Sequence, residues 1–208
     1  MKFDELNQLK RFFATMDIPA SEQKKRVRMA DLFYDAVVYT FTMIKVEKEL
    51  EERLKDKDIT VENITRVLDG YKETLQNRIY DVFEMSDIPF EDDYVPRLVD
   101  EIIDTTARHP DEEYYTSQDR ALIIAQNEAN TALNYADYVT AVDSGKTYKV
   151  WNTEGDTRVR SWHEEVDGMI VPIKEFFLVG TDTMRFPHDY LHGSAENLVN
   201  CRCVCTYE

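Results

Sequence analysis

Val139-Thr140-Ala141-Val142-Asp143-Ser144-Gly145-Lys146-Thr147-Tyr148-Lys149-Val150-Trp151 is where the chain changes character. Before it, apolar residues recur every three to four positions. After it they alternate. Asp143-Ser144-Gly145 is a helix stop, because glycine takes the left-handed conformation that closes a helix. Tyr148 to Trp151 then reads as a strand. The two periods place an all-helical region first and a small mixed module second, an α+β chain. The expected division is a helical region over 1–115 and an α+β module over 116–208.

Upstream, residues 2–14 form a short amphipathic helix with Phe3, Leu6, Leu9 and Phe13 on one side. Pro19 ends it, and Ser21 is the expected cap of a helix over about 22–55. Two stripes run along that helix: Ala30, Phe33, Val37, Phe41, Ile44, and Leu32, Ala36, Tyr39, Met43, Val46, Leu50. So wide an apolar face packs on two sides. Beyond Val46 the helix turns polar, with Lys48–Glu52 and Glu51–Lys55 spaced for surface pairs, and there it projects into solvent or meets a partner. Thr60 is the expected cap of a third helix over about 61–85. A loop follows over 86–94, then a helix over 95–107 and a linker over 111–115. Thr116 or Ser117 caps a fifth helix to about 142. Its stripe of Ala121, Ala125, Ala129, Ala132 and Ala136 is narrow enough for close approach of another element. Downstream, Asn152 to Asp156 is a turn, Arg158 to Glu165 a helical turn, and Met169 to Pro172 and Asn200 to Cys205 short strands.

The chain has 208 residues and carries 25 basic against 41 acidic side chains, a net charge of −16. Residues 81–140 hold 3 basic against 15 acidic groups. Nucleic-acid binding draws on basic faces that neutralise phosphates, so DNA binding is expected to be weak or absent. The basic run Lys24-Lys25-Arg26-Val27-Arg28 is the local exception. No apolar run approaches the roughly 18 residues of a membrane span. The N-terminus has no signal-peptide core, which places the protein in the cytosol or in something assembled there. The three cysteines, Cys201, Cys203 and Cys205, are clustered, unlike a secreted disulfide framework. Reduced thiols or a metal site fit them better.

Gly-rich phosphate loops, a Gly-x-Ser-x-Gly elbow and a His-Glu-x-x-His helix are absent from the sequence. The constellation above background is Asp156, Arg158, Arg160, His163, Asn200, Cys201, Arg202 and Cys203. We read it as a structural polar cluster in which Arg160, His163, Asn200 and Arg202 converge, with no catalytic residue assigned. A Cys-x-Cys pair with distant histidines is also the material of a zinc site, with His163, Cys201, Cys203 and either His188 or His192 as ligands. The alternative reading is a metal-dependent or nucleophilic enzyme built on His163 and Cys201 or Cys203.

The order Lys149-Val150-Trp151, Asp156-x-Arg158-x-Arg160-x-x-His163, Asp167-Gly168, Pro172, Phe176-Phe177, Phe186-Pro187-x-Asp189 and Asn200-Cys201-Arg202-Cys203 resembles the phage Mu protein F-like (MuF) family. Ile124-Ala125-x-x-Glu128 and Asn134 resemble the helix that leads into the family's module. The resemblance covers about 117–205. It departs from the family where Arg160-Ser161-Trp162-His163 replaces a Cys-x-x-Cys of some members, and where Leu198-Val199 replaces a His-Pro. The resemblance implies a minor head protein of a tailed phage, structural and not enzymatic. It implies contact with portal, coat or scaffold proteins, a role in head morphogenesis, DNA packaging or delivery, and a place in the head interior after assembly in the host cytoplasm. No cofactor is implied, the missing thiols counting against zinc.

Overall fold

A computed structural model describes residues 3–53 and 61–208, the side chains of Phe3, 50–53 and 61–69 excepted. Helix α1 (Phe3–Phe13) is followed by the long α2 (Ala20–Arg53), α3 (Val61–Ser86), α4 (Tyr94–Arg108) and α5 (Gln118–Asp143). Strand β1 (Tyr148–Asn152) opens the mixed part. Then come α6 (Ser161–Glu164), β2 (Ile170–Pro172), β3 (Phe177–Val179), β4 (Asp182–Met184), α7 (Ala195–Leu198) and β5 (Val204–Tyr207). The chain is α+β, and among the described residues every strand lies after Gly145.

The helix boundaries agree with the periodicity to within about two residues, with instructive exceptions at the ends. Ser21 lies inside α2 and not at its cap, because Pro19 occupies the turn before it and its carbonyl accepts from Glu22 N at 2.8 Å. Ser117 does cap α5, its side chain accepting from Arg120 N at 3.1 Å. The expected Thr60 cap lies outside the described residues, as do the side chains of Leu50, Glu52 and Lys55. Residues 113–116 are a 3-10 turn and not an open linker. The Tyr115 ring stacks on His109 with centroids 3.9 Å apart. Gly145 closes α5 at φ 73°, where Lys146 N donates to Ala141 O at 3.0 Å.

The alanine stripe of α5 (Ala121, Ala125, Ala129, Ala132) is buried against the apolar face of α2, among Ala30, Phe33, Tyr34 and Val37. Small side chains let the two backbones approach, so α5 belongs to the helical core while also carrying the mixed part. A second core beneath the sheet holds Trp151, Val166, Phe177, Val179, Met184, Cys201 and Cys203.

The main sheet is antiparallel in the order β2-β1-β5, with Val150 opposite Ile170 and Trp151 opposite Cys205. Strands β3 and β4 form a separate hairpin, Phe177 opposite Met184. Its turn residue Gly180 sits at φ 62°, and a Cβ there would meet Trp162 at 3.2 Å, so both conformation and space call for glycine. This hairpin and α7 have too few residues to leave a periodic trace in the sequence. The expected strand over 200–205 is a correction: pairing runs only over Val204–Tyr207. Asn200 adopts φ 57°, which breaks the extended run. The carbonyls of Cys201 and Cys203 are taken by side chains instead of a neighbouring strand.

Candidate functional site

The segment Val199 to Cys203 is held from three directions. From α5, Asn130 Nδ2 donates to Cys201 O at 3.2 Å, and Asn134 Nδ2 donates to Pro187 O at 2.9 Å and Cys203 O at 3.3 Å. Asn127 Oδ1 accepts from Asn200 N at 2.8 Å. These amides are in turn gripped by α2. Arg26, 1% exposed, donates through Nη1 to Asn130 Oδ1 at 2.8 Å and through Nη2 to Asn134 Oδ1 at 3.0 Å. Burial pushes the Arg26 guanidinium below its ordinary pKa, with Asp137 partly compensating. One planar fork thereby fixes two amides, which fix three carbonyls.

From the loop after β1, Asp156 accepts both Nη atoms of Arg202, at 2.5 and 2.9 Å, and a further bond from Arg158 N at 3.0 Å. The Arg202 contact holds the Asp156 carboxyl well below the usual carboxylate range. Arg202 also reaches Thr15 Oγ1 at 3.4 Å, and Glu154 accepts from Asp17 N at 2.8 Å, tying the mixed part to the turn after α1. Arg160 Nη2 donates to Val199 O at 2.6 Å.

At the centre lie His163, Cys201 and Cys203, at 1%, 2% and 4% exposure. His163 Nδ1 is 3.4 Å from Cys203 Sγ and 3.7 Å from Cys201 Sγ. The Asn197 amide decides its tautomer. Asn197 Nδ2 donates to Val179 O at 3.1 Å and Asp182 Oδ2 at 2.8 Å, leaving Oδ1 as acceptor from Trp162 Nε1 at 2.6 Å and His163 Nε2 at 2.9 Å. The proton therefore sits on Nε2, and Nδ1 presents a lone pair to both sulfurs. The two thiols titrate as a pair. The Cys201 thiolate is favoured first by hydrogen bonding from Cys203, against the opposing cost of burial, so its pKa falls well below the ordinary thiol value. That charge, with burial, holds the second proton on Cys203.

Arg160, His163, Asn200 and Arg202 thus share one cleft, together with Glu154, Arg158, Cys201 and Cys203. Their parts differ. Asp156 and Arg158 form an exposed rim, and Asn200 takes part through its backbone. His188 donates through Nε2 to Cys201 O at 2.8 Å and stands beside the thiol pair. His192 does not join: its Nδ1 pairs with Asp189 at 2.9 Å, in the network of Arg185 with Asp189 and Glu91. The basic run at the start of α2 is likewise corrected, because Arg26 points inward and is buried.

Arg26, Asn130, Asn134 and Asn197 were not marked as a site by the sequence reading, although Asn134 lay in the family lead-in. A signal existed for three of them. Asn130 and Asn134 stand four apart beside the alanine stripe, and Arg26 precedes Ala30, Phe33 and Val37 on one helical face. Polar groups at core spacing need partners.

The family model described as phage Mu protein F like protein matches residues 45–206. The chain belongs to the phage Mu protein F-like family. The match reaches well upstream of residue 117 and includes the end of α2, all of α3, α4 and α5, and the mixed part up to the last residues of β5. No curated protein and no solved structure matches the chain.

Proposed function

We propose that this family member is a structural protein of a tailed-phage head, a minor head protein that docks onto the portal or the coat during head morphogenesis. Membership over 45–206 is the observation that carries this reading. The geometry supports it in kind. The family's motif residues Asp156, Arg160, His163, Asn200 and Arg202 engage the protein's own backbone and side chains, the work of a scaffold that must hold its shape under load. In this reading 1–115 is the docking region and 116–208 the module it presents. The outer part of α2 exposes Tyr39, Met43 and Val46, a face suited to another protein. The protein then resides inside the head after assembly in the host cytoplasm, and takes part in packaging or delivery without gripping DNA itself. No helix among the described residues is long and apolar enough to cross a membrane.

Co-expression with the portal and coat proteins of the same phage tests the docking. The expected result is co-elution with one of them on size exclusion, weakened by charge substitutions at Tyr39 and Met43. Elution alone beside both assembled partners contradicts it.

A second reading has one specific observation behind it. A thiol, a histidine and an asparagine that orients the histidine are the parts of a nucleophilic centre. Against it, both sulfurs are buried and two thiols crowd one imidazole nitrogen. Rapid alkylation of Cys201 or Cys203 in native protein at neutral pH would favour this enzyme reading.

A further inference from the structure

The central triad satisfies requirements that neither a passive core nor a nucleophile imposes. Its three donor atoms, His163 Nδ1, Cys201 Sγ and Cys203 Sγ, all lie within 4.8 Å of one another. Tetrahedral zinc, with bonds of about 2.0 Å to nitrogen and about 2.3 Å to sulfur, sets each nitrogen–sulfur edge at about 3.6 Å. The two edges here are 3.4 and 3.7 Å. The two nitrogen–sulfur edges are therefore already at the spacing a tetrahedral zinc ion sets.

The surroundings point the same way. Metal-bound histidine usually donates its other nitrogen to a fixed acceptor, and His163 Nε2 donates to Asn197, itself anchored by Asp182 and Val179. Thiolates bound to metal accept N–H bonds. Cys203 N donates to Cys201 Sγ at 3.4 Å. The indole N–H of Trp151 is buried without a hydrogen-bond partner. Trp151 belongs to the same buried cluster as Cys201 and Cys203. Two thiolates also balance the charge of one divalent cation, so the buried centre becomes neutral on binding, with the proton shared by the thiol pair released to solvent.

We infer that His163, Cys201 and Cys203 form a binding site for one thiophilic divalent cation, zinc being the ion this donor set suits, with the remaining coordination position turned toward the cleft. The set takes one nitrogen and two sulfurs, which disfavours magnesium and calcium, whose ligands are oxygens. The metal cross-links α6 to the segment before β5, so its role is to pin the cysteine loop to the mixed module. The inference is independent of what the chain docks to.

Cobalt(II) added to the reduced, metal-stripped full-length protein tests it. The expected result is one equivalent bound, with a sulfur-to-cobalt charge-transfer band of intensity appropriate to two thiolates, displaced by zinc. Metal should protect two of the three thiols from alkylation, leaving Cys205. Cys205→Ser should bind as the unmodified protein does, while Cys201→Ser and His163→Gln should weaken binding by at least about tenfold. Because either variant can misfold, the alkylation pattern of the unmodified protein stands as an independent readout. Cobalt spectra without a thiolate band, or equal alkylation of Cys201 and Cys203 with and without metal, would overturn the inference.

Discussion

Arg26 and Asn130 stand 104 positions apart and meet at 2.8 Å inside the protein. With the second bond to Asn134, this contact joins the longest helix to the helix that carries the mixed module. The same two asparagines then hold the carbonyls of Cys201 and Cys203. One buried guanidinium thereby couples the helical region to the module, alongside the ties of Arg202 to Thr15 and of Arg185 to Glu91.

Arg26→Ala should destabilise the protein by about 3 kcal/mol, since it leaves buried amide oxygens without donors. For a chain of this size that is a fall in melting temperature of roughly 6–12 °C. Arg26→Lys should fall between the two, because an ammonium cannot reproduce the planar fork. Thermal unfolding followed by circular dichroism measures it. A melting point for Arg26→Ala within about 2 °C of the unmodified protein would refute the clamp.

Glu128 should make stability depend on pH. Burial raises its carboxyl pKa to about 7, with the hydrogen bond from Tyr94 and the nearby His188 opposing the rise. The folded state therefore holds the proton more tightly than the unfolded chain, whose carboxyl titrates near 4.3. The resulting stability is complete below about pH 4 and is lost as pH rises through about 7. Glu128→Gln should flatten this slope and be the more stable protein at about pH 8, by roughly 2 kcal/mol. Denaturant melts at several pH values give the answer. Parallel slopes for the two proteins would count against a buried carboxyl.

Lys149 runs the other way. It is buried on β1 between the Tyr138 and Phe177 rings, and its ammonium has no hydrogen-bond partner. Burial lowers its pKa to about 8, so folding carries a cost at neutral pH that lessens as pH rises through 8 toward the unfolded value of about 10.4. Lys149→Met should stabilise the protein at pH 7 by about 1–3 kcal/mol, the rings' attraction for the cation reducing the gain. The advantage should shrink in alkaline buffer. A destabilised Lys149→Met at pH 7 would mean that the ammonium has a use the buried environment does not reveal.

How much of this was legible in the sequence follows from the range of each interaction. The helices announce themselves because an apolar face repeats at 3.6 residues over several turns, as from Ala30 to Phe41. Strand β1 is legible from its alternation beside Gly145. The β3–β4 hairpin is not, since three-residue strands give no period and their register depends on Trp162 packing over Gly180. The cluster around His163 was legible as a list of residue types in a family order. Its wiring was not, because Asn197 and Arg26 become partners only when distant elements meet. Nor does a sequence reveal which way a basic residue faces, and so Arg26 passed for part of a surface patch.

Duplex DNA should bind weakly or not at all at about 150 mM salt, where screening leaves only close phosphate contacts. Of the basic run, Lys24, Lys25 and Arg28 remain exposed, and Lys25 is paired with Glu22 at 2.7 Å. An electrophoretic shift at that salt is the measurement. Tight binding that disappears on neutralising Lys24, Lys25 and Arg28 would move the protein's partner from the head shell to the genome.

The central claim is that this protein is built into a phage head. Quantitative mass spectrometry of purified, DNA-filled heads from the phage that encodes it tests that claim most directly. The account predicts that the chain stays with heads through high-salt washing, at a copy number far below that of the coat protein. Heads that form normally and lack the chain, while it accumulates free in the lysate, would contradict the account.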